Sequence, residues 1–319
     1  MLHERHETAP AICNAIIGNQ TNLRIELFGV TRLNFDAFVH DIVSNSWRVH
    51  GAEVYCGGQL AHAFGDTSQT KYPIYSATKS ILSVAVGIAC DQGRLELQRS
   101  VLDYLPERFA ARMAQRQRDA YRSITLRRLL TMSVEGYPFR PESDSYLRFS
   151  LACPIPAPES IRFHYSNIPA YLVGVALTEA VQEDAWAFIS RNILEPLHIT
   201  GAEYARCPDG YFYGASGMKL SVNDLSRIGL LLYNGGTFEG NRIVSEDYVK
   251  TAASVQQMNR EGGYGYFIWK YRDGFSINGK WKQRCYVLPG QKRIITFLSD
   301  MTDDSDDLIL SMERNILGL

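Results

Sequence analysis

The chain has 319 residues, 45% of them hydrophobic and 21% charged, with a formal net charge of −1. A chain of that length buries a substantial core as one large domain or two ordinary ones, and the composition is globular. With its charges balanced, no field over the whole molecule favours nucleic acid or an anionic membrane, and no window approaches eighteen apolar residues, so no membrane span is expected.

The first residues, MLHERHETAPAICNAIIGNQ, open with charges and hold no apolar run of signal-peptide length, so a cytoplasmic location is the expectation. Six cysteines (Cys13, Cys56, Cys90, Cys153, Cys207 and Cys285) lie far apart without a CxxC pair. In that compartment they read as reduced thiols, and structural zinc is not expected. His3 and His6 are three positions apart, whereas the HExxH metal motif places its histidines four apart on one helix face.

Along the chain, AEVYCGGQLAHAFG (52–65) reads as two strands joined at Gly57–Gly58, a hairpin signal. YSATKSILSVAVGIACDQG follows, a helix apolar on all sides that starts near Ser76 and stops at Gly93. Residues 95–205 are mostly helical in pattern, interrupted at 138–158 by five prolines (Pro138, Pro141, Pro154, Pro156 and Pro158), which read mainly as a long loop. SVNDLSRIGLLLYNGG is a helix with Ser221 as N-cap, Asp224 as capping-box acid and Gly235–Gly236 as its stop. YGYFIWKY, WKQRCYVL and KRIITFLS read as strands, the last two flanking a turn at Pro289–Gly290. The closing segment, DDSDDLILSMERNILGL, crowds acids into a helical first turn, where the dipole favours them. Strands at both ends and helices between them predict an α/β (α+β) fold: one antiparallel sheet, flanked by helices, with an all-helical subdomain inserted. The expected boundaries are 1–94 with 206–319 for the sheet domain and 95–205 for the subdomain, with the site in the cleft between them.

Ser76 and Lys79 share one face of the first helical turn. A lysine beside so apolar a helix loses hydration, which lowers its pKa and lets it take a proton from the adjacent hydroxyl. The helix start also offers backbone N–H groups to a developing anion. The S-x-x-K pattern is weak: Ser68–Lys71 and Ser216–Lys219 repeat it, and the alternative at Ser76 is an N-cap serine with a snorkelling lysine. Only Ser76–Lys79 opens a buried-type helix. Further on, FHYSNIPAY places Tyr165, Ser166 and Asn167 just before another helix. Tyr165 is either a core aromatic or a general base stabilised by a nearby ammonium; Asn167 is either a cap or a group that orients Lys79.

Ser-x-x-Lys followed by Tyr-Ser-Asn resembles the penicillin-recognising serine hydrolases, and more closely their class C β-lactamase and DD-peptidase branch with its related esterases and amide hydrolases. The segments DQGRLELQRSVLDYLPE, ITLRRLLTMSVEG and ASGMKLSVNDLSRIGLLLYNGG resemble family stretches in the same order, so the likeness covers roughly 50–300. The resemblance implies a β-lactamase/transpeptidase-like fold with Ser76 as the nucleophile that forms an acyl-enzyme and Lys79 and Tyr165 as its acid–base partners. It leaves open which of the two takes the first proton, since coupled groups titrate as a pair.

The family's third motif, usually Lys-Thr-Gly or His-x-Gly on a strand edging the site, is matched best by Lys280-Trp281-Lys282, with Trp281 in place of a small residue and Lys282 in place of glycine. The second oxyanion donor implied by the resemblance is the backbone N–H near Gln283. In a regular strand Lys280, Lys282 and Arg284 share a face, either as a site for a substrate carboxylate or as a solvated surface. The expected activity is hydrolysis of a small ester or amide without metal or organic cofactor; a DD-peptidase or β-lactamase is the alternative enzyme. A retired scaffold of the same fold that binds a ligand or partner is the non-enzymatic alternative. An α/β-hydrolase triad is disfavoured, because GASGM (214–218) misses the nucleophile elbow and no histidine follows His198. Arg108, Arg112, Arg116, Arg118, Arg122, Arg127 and Arg128 read as a solvated face, His164 as pointing away from the site, and Cys285 as buried.

Overall fold

The computed structural model describes residues 33–319, so His3, His6 and Cys13 lie outside the described part. Residues 33–41 with 306–319 form one compact unit, and residues 42–305 form the other. In the smaller unit, α1 (Phe35–Ser44) begins and α5 (Asp307–Met312) lies near the chain end. The Asp41 carboxylate accepts hydrogen bonds from Ser311 Oγ (2.6 Å), Arg314 Nη2 (2.7 Å) and Asn315 Nδ2 (2.9 Å). The Ser311 bond foremost, then Arg314 and Asn315, hold Asp41 below the usual carboxylate range against the opposing effect of burial.

The larger unit is built on a six-stranded antiparallel sheet. Its strands are β1 (Val49–Cys56), β2 (Gln59–Gly65), β3 (Trp269–Tyr271), β4 (Gly274–Gly279), β5 (Gln283–Leu288) and β6 (Arg293–Ser299), in the spatial order β2-β1-β6-β5-β4-β3. The hairpin expected at 52–65 forms as β1–β2, with Gly57 and Gly58 both left-handed, as a two-residue turn requires. The last two strands of the sheet join through a short 3₁₀ turn at Pro289–Gln291. Both of the C-terminal strand readings before it were too generous: YGYFIWKY keeps only Trp269–Tyr271, and WKQRCYVL pairs only from Gln283.

Helix α4 (Val222–Tyr233) packs against β5, β6 and β1. Ser221 and Asp224 form the full capping box. Gly229 allows this closeness: a Cβ there would stand 2.6 Å from Cys285 Sγ. Cys285 is buried, and burial pushes its thiol up to about 12, which makes it inert at neutral pH.

Residues 95–205 contribute no strand to the large sheet. Helix α2 (Thr78–Asp91) packs against α3 (Asn167–Val181), and both are buried along most of their length. Gly93 adopts φ +67° just past the end of α2 and caps it, as the sequence predicts. The proline-rich stretch is not all loop, because Tyr146–Ala152 form two turns of helix with Ser145 as N-cap. The arginine-rich region is not one solvated face either. Arg108, Arg112, Arg116 and Arg122 are exposed, but Arg128 is half-buried and donates to the carbonyls of Ser123 (2.9 Å), Ser133 (3.1 Å), Pro158 (2.5 Å) and Ser160 (2.5 Å). It therefore pins the end of the proline-rich stretch that leads into Tyr165. No helix among the described residues is long and apolar enough to cross a membrane.

Candidate active site

The helix that carries Lys79 does not begin at Ser76. Residues Tyr75–Ala77 form a 3₁₀ turn, and α2 proper starts at Thr78. The i, i+3 relation survives, because the turn runs straight into the helix. Every residue from Thr78 to Ala89 is buried, and Lys79 is only 1% exposed.

Lys79 Nζ has three partners: Ser76 Oγ at 2.9 Å, Asn167 Oδ1 at 2.8 Å and the carbonyl oxygen of Ala215 at 2.7 Å. No carboxylate accompanies them. Desolvation is the cause that pulls Lys79 down to about 7. Two of the partners, the amide and peptide oxygens, can only accept. A neutral amine has two N–H donors and one lone pair. Satisfying Asn167 and Ala215 uses both donors and leaves the lone pair facing the Ser76 hydroxyl.

Ser166 caps α3, its Oγ accepting from the backbone N–H of Ile168 at 3.1 Å. Its own hydroxyl donates to the carbonyl of Pro138 at 2.6 Å, tying this end of α3 to the proline-rich stretch. These bonds fix Asn167 on the first turn of the helix and Tyr165 just before it. Burial is the larger cause at Tyr165 and pushes the phenol up to about 12, against the lowering effect of the neighbouring Ser76 hydroxyl. Lys79 Nζ lies 5.2 Å from the Tyr165 ring centroid. Ser76 and Lys79 are therefore brought together as their spacing predicted, and Tyr165 and Asn167 join them as the family resemblance implied. Neither rival S-x-x-K pair shares the arrangement: Lys71 pairs with Asp224 (2.5 Å) and Lys219 with Glu203 (2.7 Å). His164 points away, its Nε2 2.7 Å from the carbonyl oxygen of Tyr137.

The Lys280-Trp281-Lys282 segment differs from its sequence reading. It is a 3₁₀-type turn between β4 and β5, not a strand, so the shared face inferred for Lys280, Lys282 and Arg284 does not exist. The reason is local: Gly279 pairs with Gln283, which leaves three residues to close the hairpin, and Trp281 (φ +60°) and Lys282 (φ +63°) are both left-handed. A glycine would adopt that backbone without strain. Gln283 is buried and committed to the sheet, its Nε2 donating to the carbonyl of Ser299 at 2.6 Å and its Oε1 accepting from the Ser299 N–H at 3.1 Å. Arg284 Nη1 donates to the carbonyls of Gly279 (2.8 Å) and Gln283 (2.9 Å). The backbone that runs against the Ser76 turn is that of Gly279, where a Cβ would fall 2.2 Å from the Ile74 carbonyl oxygen.

Sequence reasoning missed several neighbours. The Ala215 carbonyl carries no side-chain signal. Tyr213 lies beside Asn167, and burial pushes its phenol up to about 12. Phe163, Tyr264 and Trp269 surround Tyr165, with ring centroids 6.5, 6.4 and 5.6 Å from it. Aromatic clustering in FHYSN and YGYFIW was the only available hint. Among the described residues no group of three or more His, Cys, Asp or Glu side chains is placed to hold a metal ion.

The Beta-lactamase family model matches residues 44–313 of this chain. Solved structures agree on the fold. A beta-lactamase from Mycobacterium bovis superposes with a TM-score of 0.62 at 17% identity, over 86% of this chain and 96% of that one. A penicillin-binding protein from Bacillus halodurans gives a TM-score of 0.66 at 16% identity, covering 86% and 99% of the two chains. The octameric penicillin-binding protein homologue from Pyrococcus abyssi gives 0.64 at 19% identity, covering 89% and 76%. With the matched region spanning most of the sequence and containing every site residue described above, the chain belongs to the beta-lactamase family and has its β-lactamase/transpeptidase-like fold.

Proposed function

We propose that the protein is a serine hydrolase that forms an acyl-Ser76 ester from a small ester or amide, with no metal or organic cofactor. The observation that carries this reading is the Lys79 node: a buried amine near pKa 7, both N–H donors held by obligate acceptors, its lone pair facing the Ser76 hydroxyl at 2.9 Å. Lys79 takes the Ser76 proton as Oγ attacks the carbonyl carbon. Tyr165 stays protonated at neutral pH, so it serves as the donor that passes a proton to the leaving oxygen or nitrogen. Water then repeats the sequence in reverse and releases the acid. The developing oxyanion is held by the Ser76 N–H and by a second backbone N–H at Lys280, which follows the Gly279 contact, rather than at Gln283.

The cations of the turn support a carboxylate-bearing substrate. Lys280 is exposed, its Nζ 4.8 Å from the Trp281 ring centroid, while one Arg284 nitrogen is used to hold the turn. The bulk of Trp281 beside the nucleophile turn speaks against a β-lactam or peptide and for an esterase or amidase acting in the cytoplasm. The test is intact-protein mass after separate incubation with a fluorophosphonate and with a penicillin, for wild type and Ser76→Ala. A Ser76-dependent fluorophosphonate adduct is expected. A penicillin adduct instead would establish the DD-peptidase or β-lactamase reading, and no adduct on folded protein would establish the retired scaffold.

A further inference from the structure

Two aromatic residues in the left-handed region meet beside the nucleophile. Tyr75 immediately precedes Ser76 and has φ +48°; Trp281 has φ +60°. Their rings stand edge to face, with centroids 5.0 Å apart. A bulky residue in that region is an outlier, costing on the order of 1–2 kcal/mol, and such conformations persist only where the surroundings fix them. Here the surroundings do so. The Trp281 carbonyl accepts from Ser299 Oγ (2.7 Å) and Gln283 Nε2 (3.3 Å), Arg284 ties Gly279 to Gln283, and Lys280 covers the indole. These bonds fix the backbone that carries the indole, which rests on the residue next to Ser76 and remains partly exposed, as does Tyr75.

We infer that Tyr75 and Trp281 form an apolar subsite for the acyl part of the substrate, selecting a flat aryl group over a short alkyl one. The inference rests on the serine-hydrolase reading. Tyr165, as donor to the leaving group, marks the leaving-group side of Ser76, and its aromatic surround of Phe163, Tyr264 and Trp269 makes no ring contact with Tyr75 or Trp281. The acyl group therefore extends to the other side, towards Tyr75 and Trp281. The partly exposed Tyr75–Trp281 ring pair offers an aryl group an aromatic contact that a short alkyl chain cannot use.

The experiment compares kcat/KM for p-nitrophenyl benzoate and p-nitrophenyl acetate, which share a leaving group, in wild type and Trp281→Gly. The benzoate-to-acetate ratio is expected to fall about tenfold in the variant, in line with the worth of an aromatic pair. Should Trp281→Gly fail to fold, Trp281→Asn replaces it, since asparagine tolerates the left-handed backbone. An unchanged ratio in a folded variant, with wild type still labelled at Ser76 by the fluorophosphonate, overturns the subsite alone. Absence of that label in wild type overturns the hydrolase reading and the subsite with it. A second series of aryl and alkyl acetates varies the leaving group instead; selectivity that tracks this series overturns the assignment to the acyl side.

Discussion

The Lys79 node and the 280–282 turn both border the turn that carries Ser76, and they are built by opposite means. At the node, regular helices bring the groups together: α2 supplies Lys79, the capped start of α3 supplies Asn167, and each hydrogen-bonding group has its partner. At the turn, the backbone is held out of its preferred range, and neighbouring side chains keep it there. A buried amine needs invariant geometry to keep its pKa displaced, so it sits on the stiffest elements. A hairpin turn can change residue without disturbing the sheet, so it is where specificity is expected to vary.

Variants of the node should have the largest effects. Ser76→Ala and Lys79→Met should each lower kcat by 10³-fold or more while the fold is retained, measured by ester hydrolysis and circular dichroism. Lys79→Met should also raise the melting temperature at pH 7. The sign follows from linkage. Folding lowers the lysine from its ordinary 10.5 to about 7, so between those values the unfolded wild type binds more protons and its folded state gains stability as pH rises. The advantage of the methionine variant should therefore shrink between pH 7 and 10; an advantage that grew over this range would contradict the buried-amine account. In wild type, kcat/KM should rise through about pH 7 as Lys79 loses its proton.

Gly279→Ala probes the junction of the two regions. A Cβ 2.2 Å from the Ile74 carbonyl forces the strand end away from the Ser76 turn, and kcat should fall 10- to 100-fold with a smaller change in KM. Equal activity in the alanine variant would show that this backbone approach does not hold the oxyanion donor. Smallest is the expected effect of Lys280→Gln combined with Lys282→Gln: a several-fold rise in KM for carboxylate-bearing esters and none for neutral ones. Equal losses on both would remove the carboxylate from the proposed substrate.

The node was legible because its determinants are local. Three-residue spacing puts Ser76 and Lys79 on one face even across the 3₁₀-to-α junction, and Ser166 announces the start of α3. The capping box at Ser221 and the Gly57–Gly58 hairpin were legible for the same reason. The turn was misread because alternating polar residues in WKQRCYVL look like strand, and nothing local shows that Gly279 pairs with Gln283. Arg128 was misread because its partners are carbonyls, which every residue has.

The sequence by itself determined the fold class, the order of its elements and the pairing of Ser76 with Lys79, since these follow from periodicity, caps and spacing along one segment. Only the tertiary structure decided that Lys79 meets Asn167 and the Ala215 carbonyl without a carboxylate, and that Trp281 rests on Tyr75. Those contacts join residues 88, 136 and more than 200 positions apart, and their energies come from burial and from backbone groups that leave no mark in the side-chain sequence.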